Sequence, residues 1–353
     1  MPRLGRRAAR TSVPPPLLCR WDLDKTYLRS EFETVRQLLR TAFERGEDKV
    51  QVPGVAAVIK GLSETAARQG RRALIYFLSA SPPQIGRAIR DKLALDGVPY
   101  DGIVFKDQLS YIRRGKLRGL REHVGFKLVH LLRGRLEAPL EARELLFGDD
   151  WESDSLVYAL YADILAGRIG GDRLRALLQR IGVDPKLVVN ALALAPRAVG
   201  ADAVERIFIN LERRTPPAVF HLLGARVVPT FNYFQTAAVL SADGFLDEPA
   251  LARVAEELVE HAGHTPRRLE NSLDDLVRRG HLTAAAATTL ARRLRARGLL
   301  VAGARADRWR SMLGSLRRLG RGRQRARAGL GAAPRFAATI DYDAILDRVR
   351  RPQ

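Results

Sequence analysis

The sequence predicts an α/β fold, a doubly wound parallel sheet with a smaller C-terminal helical appendage. Three observations carry that prediction. Leu17-Leu18-Cys19-Arg20-Trp21, Ala73–Leu78 and Glu144–Gly148 are short, nearly continuous apolar runs, the pattern of strands buried on both faces. Helical spacing follows such runs, so strand and helix alternate through about residue 240. Two of the runs end in carboxylates, at the strand ends where open α/β sheets place their ligands.

Taken in order, Pro14, Pro15 and Pro16 punctuate the approach to the first strand. Phe32, Val35, Leu38, Leu39, Ala42 and Phe43 give helical spacing from Ser30 to about Arg45. Pro53-Gly54 opens a second helix running to about Arg68, ahead of the Ala73–Leu78 strand. Ser81 and Pro82 form an N-cap and first-turn pair, which predicts a helix to about Leu95. A weaker strand, Gly102–Phe105, leads through a basic stretch to Gly125-Phe126-Lys127 and an apolar helix over Leu128–Leu132. After Glu144–Gly148, Tyr158, Tyr161 and Ile164 continue as a helix. Residues 167–200 read as two small helices broken by Gly182 and Pro185. Val204–Ile209 is a strand, Pro216–Leu223 a helix and Arg226–Pro229 an edge strand. From Glu248 onward the spacing is helical, with a last short helix around Ile340–Val349. The boundaries are a basic arm over 1–16, an α/β domain over 17–245 with a helical insert near 167–200, an appendage over 246–320 and a basic tail over 321–353.

Composition bounds the function classes. The single cysteine, Cys19, excludes an internal disulfide and a cysteine-based metal site, which makes a reducing compartment the expectation and Cys19 a buried small residue. No apolar segment reaches the roughly 18 residues of a spanning helix, and the Arg-rich start lacks the apolar core of a secretory signal. The expected location is cytoplasmic, with a peripheral membrane association open. The formal charge of +21 sits at the ends: residues 292–327 hold thirteen arginines against Asp307, and residues 1–20 hold five without an acid, leaving +4 for the rest. Such charge speaks to partners rather than to fold. Trp309, Met312, Leu313, Leu316 and Leu319 form a helical stripe flanked by arginines, either packed on the appendage or lying on an anionic membrane surface. Nucleic-acid binding is a third reading, weakened by the scarcity of aromatic residues in that stretch. His261 and His264 read as a solvated helix end rather than a metal pair.

The chemistry-bearing residues fall at strand ends or beside them. Asp22 and Asp24, spaced i, i+2 at the end of the first strand, share a side if the extended geometry continues. A like-charged pair held that close needs a cation or a shared proton. Thr26, Ser79, Lys127, Asp149 and Asp154 complete a set suited to phosphoryl transfer. One carboxylate attacks phosphorus, a second acts as general acid and base, a hard divalent cation screens repulsion, and a hydroxyl and an ammonium hold the remaining oxygens. Lys106 and Lys116 are alternatives to Lys127, and Asp150 and Glu152 read as turn or supporting groups.

Grouped as Asp22/Asp24/Thr26, Ser79, Lys127 and Asp149/Asp154, these residues resemble the four motifs of the haloacid dehalogenase superfamily. The closer likeness is to the catalytic domain of the actin-patch type phosphatidate phosphatase and its bacterial relatives, over about residues 17–240. Its supporting segments are Pro53-Gly54-Val55, Phe77-Leu78-Ser79-Ala80-Ser81-Pro82-Pro83-Gln84 and Phe147-Gly148-Asp149-Asp150-Trp151-Glu152-Ser153-Asp154-Ser155-Leu156-Val157-Tyr158. The resemblance implies a haloacid-dehalogenase-like Rossmannoid core, and the intervals between motifs leave little room for a large cap. It also implies a nucleophile at Asp22, a general acid/base at Asp24, a turn-steadying Thr26, a phosphoryl-binding Ser79 and a neutralising Lys127. Mg²⁺ would be held by Asp22, Asp149 and the carbonyl of Asp24, with Asp154 positioning Lys127 or completing the metal shell. Lys25, Pro83 and Asp150 depart from the family's pattern at positions that bear on substrate preference. The implied substrate is a phosphoester, with phosphatidate or a related lipid phosphate leading. Alternatives are a phosphatase acting on nucleic-acid ends, and a catalytically silent scaffold whose basic tail binds membrane or nucleic acid.

Overall fold

The computed structural model describes residues 14–23, 26–27, 51–79, 86–105, 119–151, 153–200, 202–301 and 340–350. Within them the chain is an α/β protein built on a six-stranded, all-parallel sheet flanked by helices, a Rossmann-like arrangement. The strands are β1 (Leu17–Asp22), β2 (Ala73–Ser79), β3 (Gly102–Phe105), β4 (Arg143–Asp149), β5 (Val204–Asn210) and β6 (Val227–Thr230). Their order across the sheet is β3-β2-β1-β4-β5-β6, so the winding direction reverses between β1 and β4.

Side chains alternate across the sheet, and each face has its own core. Leu17, Cys19 and Trp21 of β1 join Ile75, Phe77, Leu145, Phe147, Phe208 and Val228 on one face. That face is covered by α1 (Val55–Arg68), α2 (Gly86–Leu95), α7 (Tyr233–Ala242), α8 (Glu248–His261), α9 (Pro266–Arg278) and α10 (Ala284–Ala296). The apolar residues of α8–α10, such as Leu251, Leu273 and Leu290, are continuous with this core. On the other face, Leu78, Leu146, Ile207, Ile209 and Val227 meet α3 (Gly119–Leu136), α4 (Asp154–Leu165), α5 (Gly171–Ile181), α6 (Pro185–Ala198) and the C-terminal α11 (Tyr342–Arg350). Burial of apolar area on both faces explains why the strands read as continuous apolar runs.

The boundaries mostly match the expected ones, with instructive differences. The helix around Lys127 starts no later than Gly119, not at Leu128. Gly125 therefore lies inside a helix rather than ahead of one. A Cβ there would come within 2.5 Å of Val183 Cγ1 and 2.9 Å of Leu187 Cδ1, so this glycine serves close helix–helix approach. Residues 217–223 form a 3-10 helix, in keeping with the prolines at its start and its short length. The strands β2, β5 and β6 each run on to a polar residue: Ser79, Asn210 and Thr230. Among the described residues, no helix is long and apolar enough to cross a membrane. The helix read over 30–45, the Ser81-Pro82 start and the stripe from Trp309 to Leu319 lie outside the described residues.

Candidate metal centre

The strand order fixes where a ligand would sit. In a parallel sheet whose winding reverses between two neighbours, the crevice opens at their carboxyl ends. Those neighbours are β1 and β4, and their last residues are Asp22 and Asp149. Both are buried, although carboxylates rarely are without a partner.

Three further side chains converge there. Asp154 opens α4 and Lys127 reaches in from α3; both are fully buried. Lys127 Nζ lies 2.8 Å from Asp22 Oδ1 and is also ion-paired with Asp154 Oδ1. One carboxylate oxygen from each of Asp22, Asp149 and Asp154 lies within 4.8 Å of the others. Thr26 Oγ1 donates to Asp149 Oδ2 at 3.3 Å, and the Trp151 amide donates to Asp149 Oδ1 at 2.7 Å. The Asp149 amide in turn donates to Asp154 Oδ2 at 3.4 Å. Gly148 makes this turn possible, because a Cβ there would come within 2.6 Å of Asp154 Cβ. Ser79 ends β2 and is buried, one strand away from Asp22, whose register partner is Leu78.

Supporting groups come from distant parts of the chain. Tyr233 OH donates to the Thr26 carbonyl at 2.8 Å, and Tyr158 OH to the Phe147 carbonyl at 3.3 Å. Burial pushes both phenols well above their ordinary range; the Asp154 carboxylate adds to this for Tyr158 and the Asp149 carboxylate for Tyr233. Both therefore stay protonated and donate. Asp150 turns away from the cluster and accepts from the amides of Arg213 and Thr215, each at 2.9 Å, which agrees with its reading as a turn residue.

The donor set fits a hard divalent cation. Three buried carboxylates are clustered beside a buried Lys127 ammonium that pairs with two of them, and oxygen-only ligation is what Mg²⁺ and Ca²⁺ prefer. Burying that many charges is costly unless they are balanced. A second sign is Ser153, at the N-cap of α4, whose buried Oγ has no hydrogen-bond partner among the described residues. A buried hydroxyl without a partner, next in sequence to Asp154, is the kind of group that a bound ion, ligand or water can satisfy.

The structure thus brings together Asp22, Thr26, Lys127, Asp149 and Asp154, and sets Ser79 at the end of the neighbouring strand. Asp24 lies outside the described residues, as do Lys106, Lys116 and Glu152. His264 is buried near the end of α8, and Cys19 is buried in the core, where burial pushes its thiol up and keeps it inert. Reading the sequence missed Tyr233, which bonds Thr26 across 207 positions and carries no local motif. Ser153 lay inside a quoted motif, but nothing in that motif pointed to its buried, unpartnered hydroxyl.

Fold and site together define the class: a Rossmann-like α/β protein with a buried three-aspartate, metal-competent cluster at its switch point. Comparison with protein-family models, with curated proteins and with solved structures returns no match for this chain.

Proposed function

We propose that the chain is a Mg²⁺-dependent phosphomonoester hydrolase working through an aspartyl-phosphate on Asp22. The observation that carries this reading is the convergence of Asp22, Asp149, Asp154 and Lys127 at the carboxyl ends of adjacent strands. That convergence supports the resemblance to the haloacid dehalogenase superfamily drawn from the motifs.

In this reading Asp22 attacks phosphorus, forming a P–O bond to its carboxylate as the ester P–O bond breaks. Asp24, protonated, gives its proton to the leaving oxygen and then takes one from the water that attacks the acyl phosphate. Inorganic phosphate leaves and Asp22 is regenerated. Lys127, held by Asp22 and Asp154, faces the developing charge, and Ser79 donates to a phosphoryl oxygen. Mg²⁺ held by Asp22, Asp149 and the carbonyl of Asp24, with Asp154 completing the shell, would neutralise the phosphoryl oxygens against the carboxylates. Thr26 steadies the turn through Asp149, and Tyr233 steadies Thr26.

The test is phosphate release from a panel of soluble and lipid phosphomonoesters, with Mg²⁺ and with chelator, beside an Asp22→Asn variant. Release should require the cation and vanish in the variant. Equal release by Asp22→Asn would remove the aspartyl-phosphate mechanism.

A further inference from the structure

Two exposed aromatic rings stand on the loops that leave the carboxyl ends of the sheet. Trp151 follows Asp149 by two residues and is 39% exposed; Phe231 follows Thr230, the end of β6, and is 46% exposed. Asp149 is in register with Asn210, and Asn210 with Thr230, so two strand spacings, roughly 10 Å, separate the two loop origins. Each ring has a guanidinium over it: Arg213 lies 4.8 Å from the Trp151 centroid and Arg279 5.5 Å from that of Phe231.

Both rings are held in place rather than loosely displayed. The loop carrying Arg213 is fixed by the two amide bonds to Asp150, and Arg214 beside it has φ 59°, a left-handed conformation that costs a non-glycine residue about 1 kcal/mol or more. The Phe231 amide donates to Gln235 Oε1 at 2.8 Å, and Arg279 is anchored on the Pro229 carbonyl at 2.7 Å and on Asp275. The Trp151 amide is itself bonded to Asp149, so the nearer ring is tied to the acidic cluster.

We propose, resting on the hydrolase reading above, that this rim recognises a planar base. The substrate is then a nucleoside phosphomonoester, either free or as the terminal nucleotide of a single strand. Its base stacks on Trp151, and Phe231 offers a second stacking surface. Aromatic rings flanked by arginine are the usual platform for unpaired bases, because every base has a π-face. Among the described residues, the large apolar side chains exposed directly after strand carboxyl ends are these two aromatic rings. Arg213 and Arg214 offset the nearby Asp150 and Glu212, and Glu212 also accepts from Asn210 at 3.1 Å. The overall charge of +21 favours approach of an anionic substrate.

The experiment compares kcat/KM of the full chain with Mg²⁺ on four esters. They are a nucleoside 5′-monophosphate, a 5′-phosphorylated oligothymidylate, glycerol phosphate and phosphatidate in mixed micelles. The nucleotide esters should exceed the other two. Trp151→Ala should narrow the nucleotide-to-glycerol-phosphate ratio by about fivefold or more, the least that one base–aromatic stack is worth. Trp151→Phe should restore most of it. Preference for the oligonucleotide would assign the strand end as the source, and preference for the mononucleotide the free metabolite. Glycerol phosphate or phosphatidate turned over as well as the nucleotides, or a ratio unmoved by Trp151→Ala, overturns this inference and leaves the hydrolase standing. Silence on all four overturns both.

Discussion

Replacing Lys127 by methionine tests the electrostatics of the centre without touching a carboxylate. At an effective dielectric of about 20, like charges at the cluster's 4.8 Å limit repel by about 3 kcal/mol per pair, or about 10 kcal/mol for three pairs. On the same scale the ammonium, 2.8 Å from Asp22 and paired also with Asp154, returns about 12 kcal/mol. Lys127 therefore roughly cancels the mutual repulsion, while the cost of drying three carboxylates remains for a cation to offset. Methionine keeps much of the stem's bulk but leaves the repulsion unopposed. After relaxation, breaking a buried pair this way costs about 3–5 kcal/mol. For the roughly 250 described residues unfolding together, at about 2 cal/mol/K per residue, that is a fall in Tm of about 6–10 °C in chelator. Added Mg²⁺ should then raise Tm more in the variant than in the native protein, because a competing positive charge is gone, while phosphate release is lost. Scanning calorimetry with and without Mg²⁺ reads both effects. A variant with native Tm in chelator and an unchanged Mg²⁺ shift would show that Lys127 does not balance this cluster.

Gly148→Ala should press a methyl group onto Asp154, destabilise the fold by about 1–3 kcal/mol and abolish the Mg²⁺-induced rise in Tm. Retention of a full rise by a folded variant would refute the tight turn as the reason for glycine there. Away from the site, burial, with Arg279 and Arg206 nearby, pushes the His281 imidazole down to about 4. The unfolded chain, with an ordinary value near 6.5, binds a proton that the folded chain refuses. Stability from this group is thus complete above about pH 6.5 and is lost progressively as pH falls toward 4, by no more than about 3 kcal/mol. His281→Gln should flatten urea-unfolding stability over that window, and an unchanged slope would refute the assignment.

The fold was legible because burial on both faces leaves a simple trace. Leu17–Trp21, Ala73–Leu78 and Glu144–Gly148 are apolar almost throughout, and their ends coincide with observed strands to within one or two residues. The centre was legible for a related reason: Asp22 and Asp149 are local features of strand ends, and a parallel sheet brings successive carboxyl ends to one side. Lys127 was read as standing just ahead of the helix over Leu128–Leu132 but lies inside α3, since Gly125 suggested a boundary where it serves packing against Val183. Tyr233 and Arg213 were not readable at all. Each acts through a loop or helix whose position depends on where β5 and β6 join the sheet, and that order has no local signature.

What lets the chain hold three carboxylates in one dry place is rigidity on either side of the first strand. One residue before Asp22, Trp21 stacks on Phe147 at 3.7 Å, and Phe147 on Phe208 at 5.2 Å, a ladder across β1, β4 and β5 in one register. On the opposite face Arg20 donates to Glu144 at 2.8 Å, and Glu144 also accepts from Arg135 and Tyr161, tying β1 and β4 to α3 and α4. Those two helices are the ones that deliver Lys127 and Asp154. Pairing opposite charges at Arg20 and Glu144 thus clamps the four elements that build the centre: β1, β4 and α4, which carry its three carboxylates, and α3, which carries Lys127. The repulsion at the tips then cannot be relieved by spreading the strands. Lys127 opposes it from within the cluster, and a bound cation would offset the remaining cost of burying three carboxylates, which is why a centre so placed is suited to hold one.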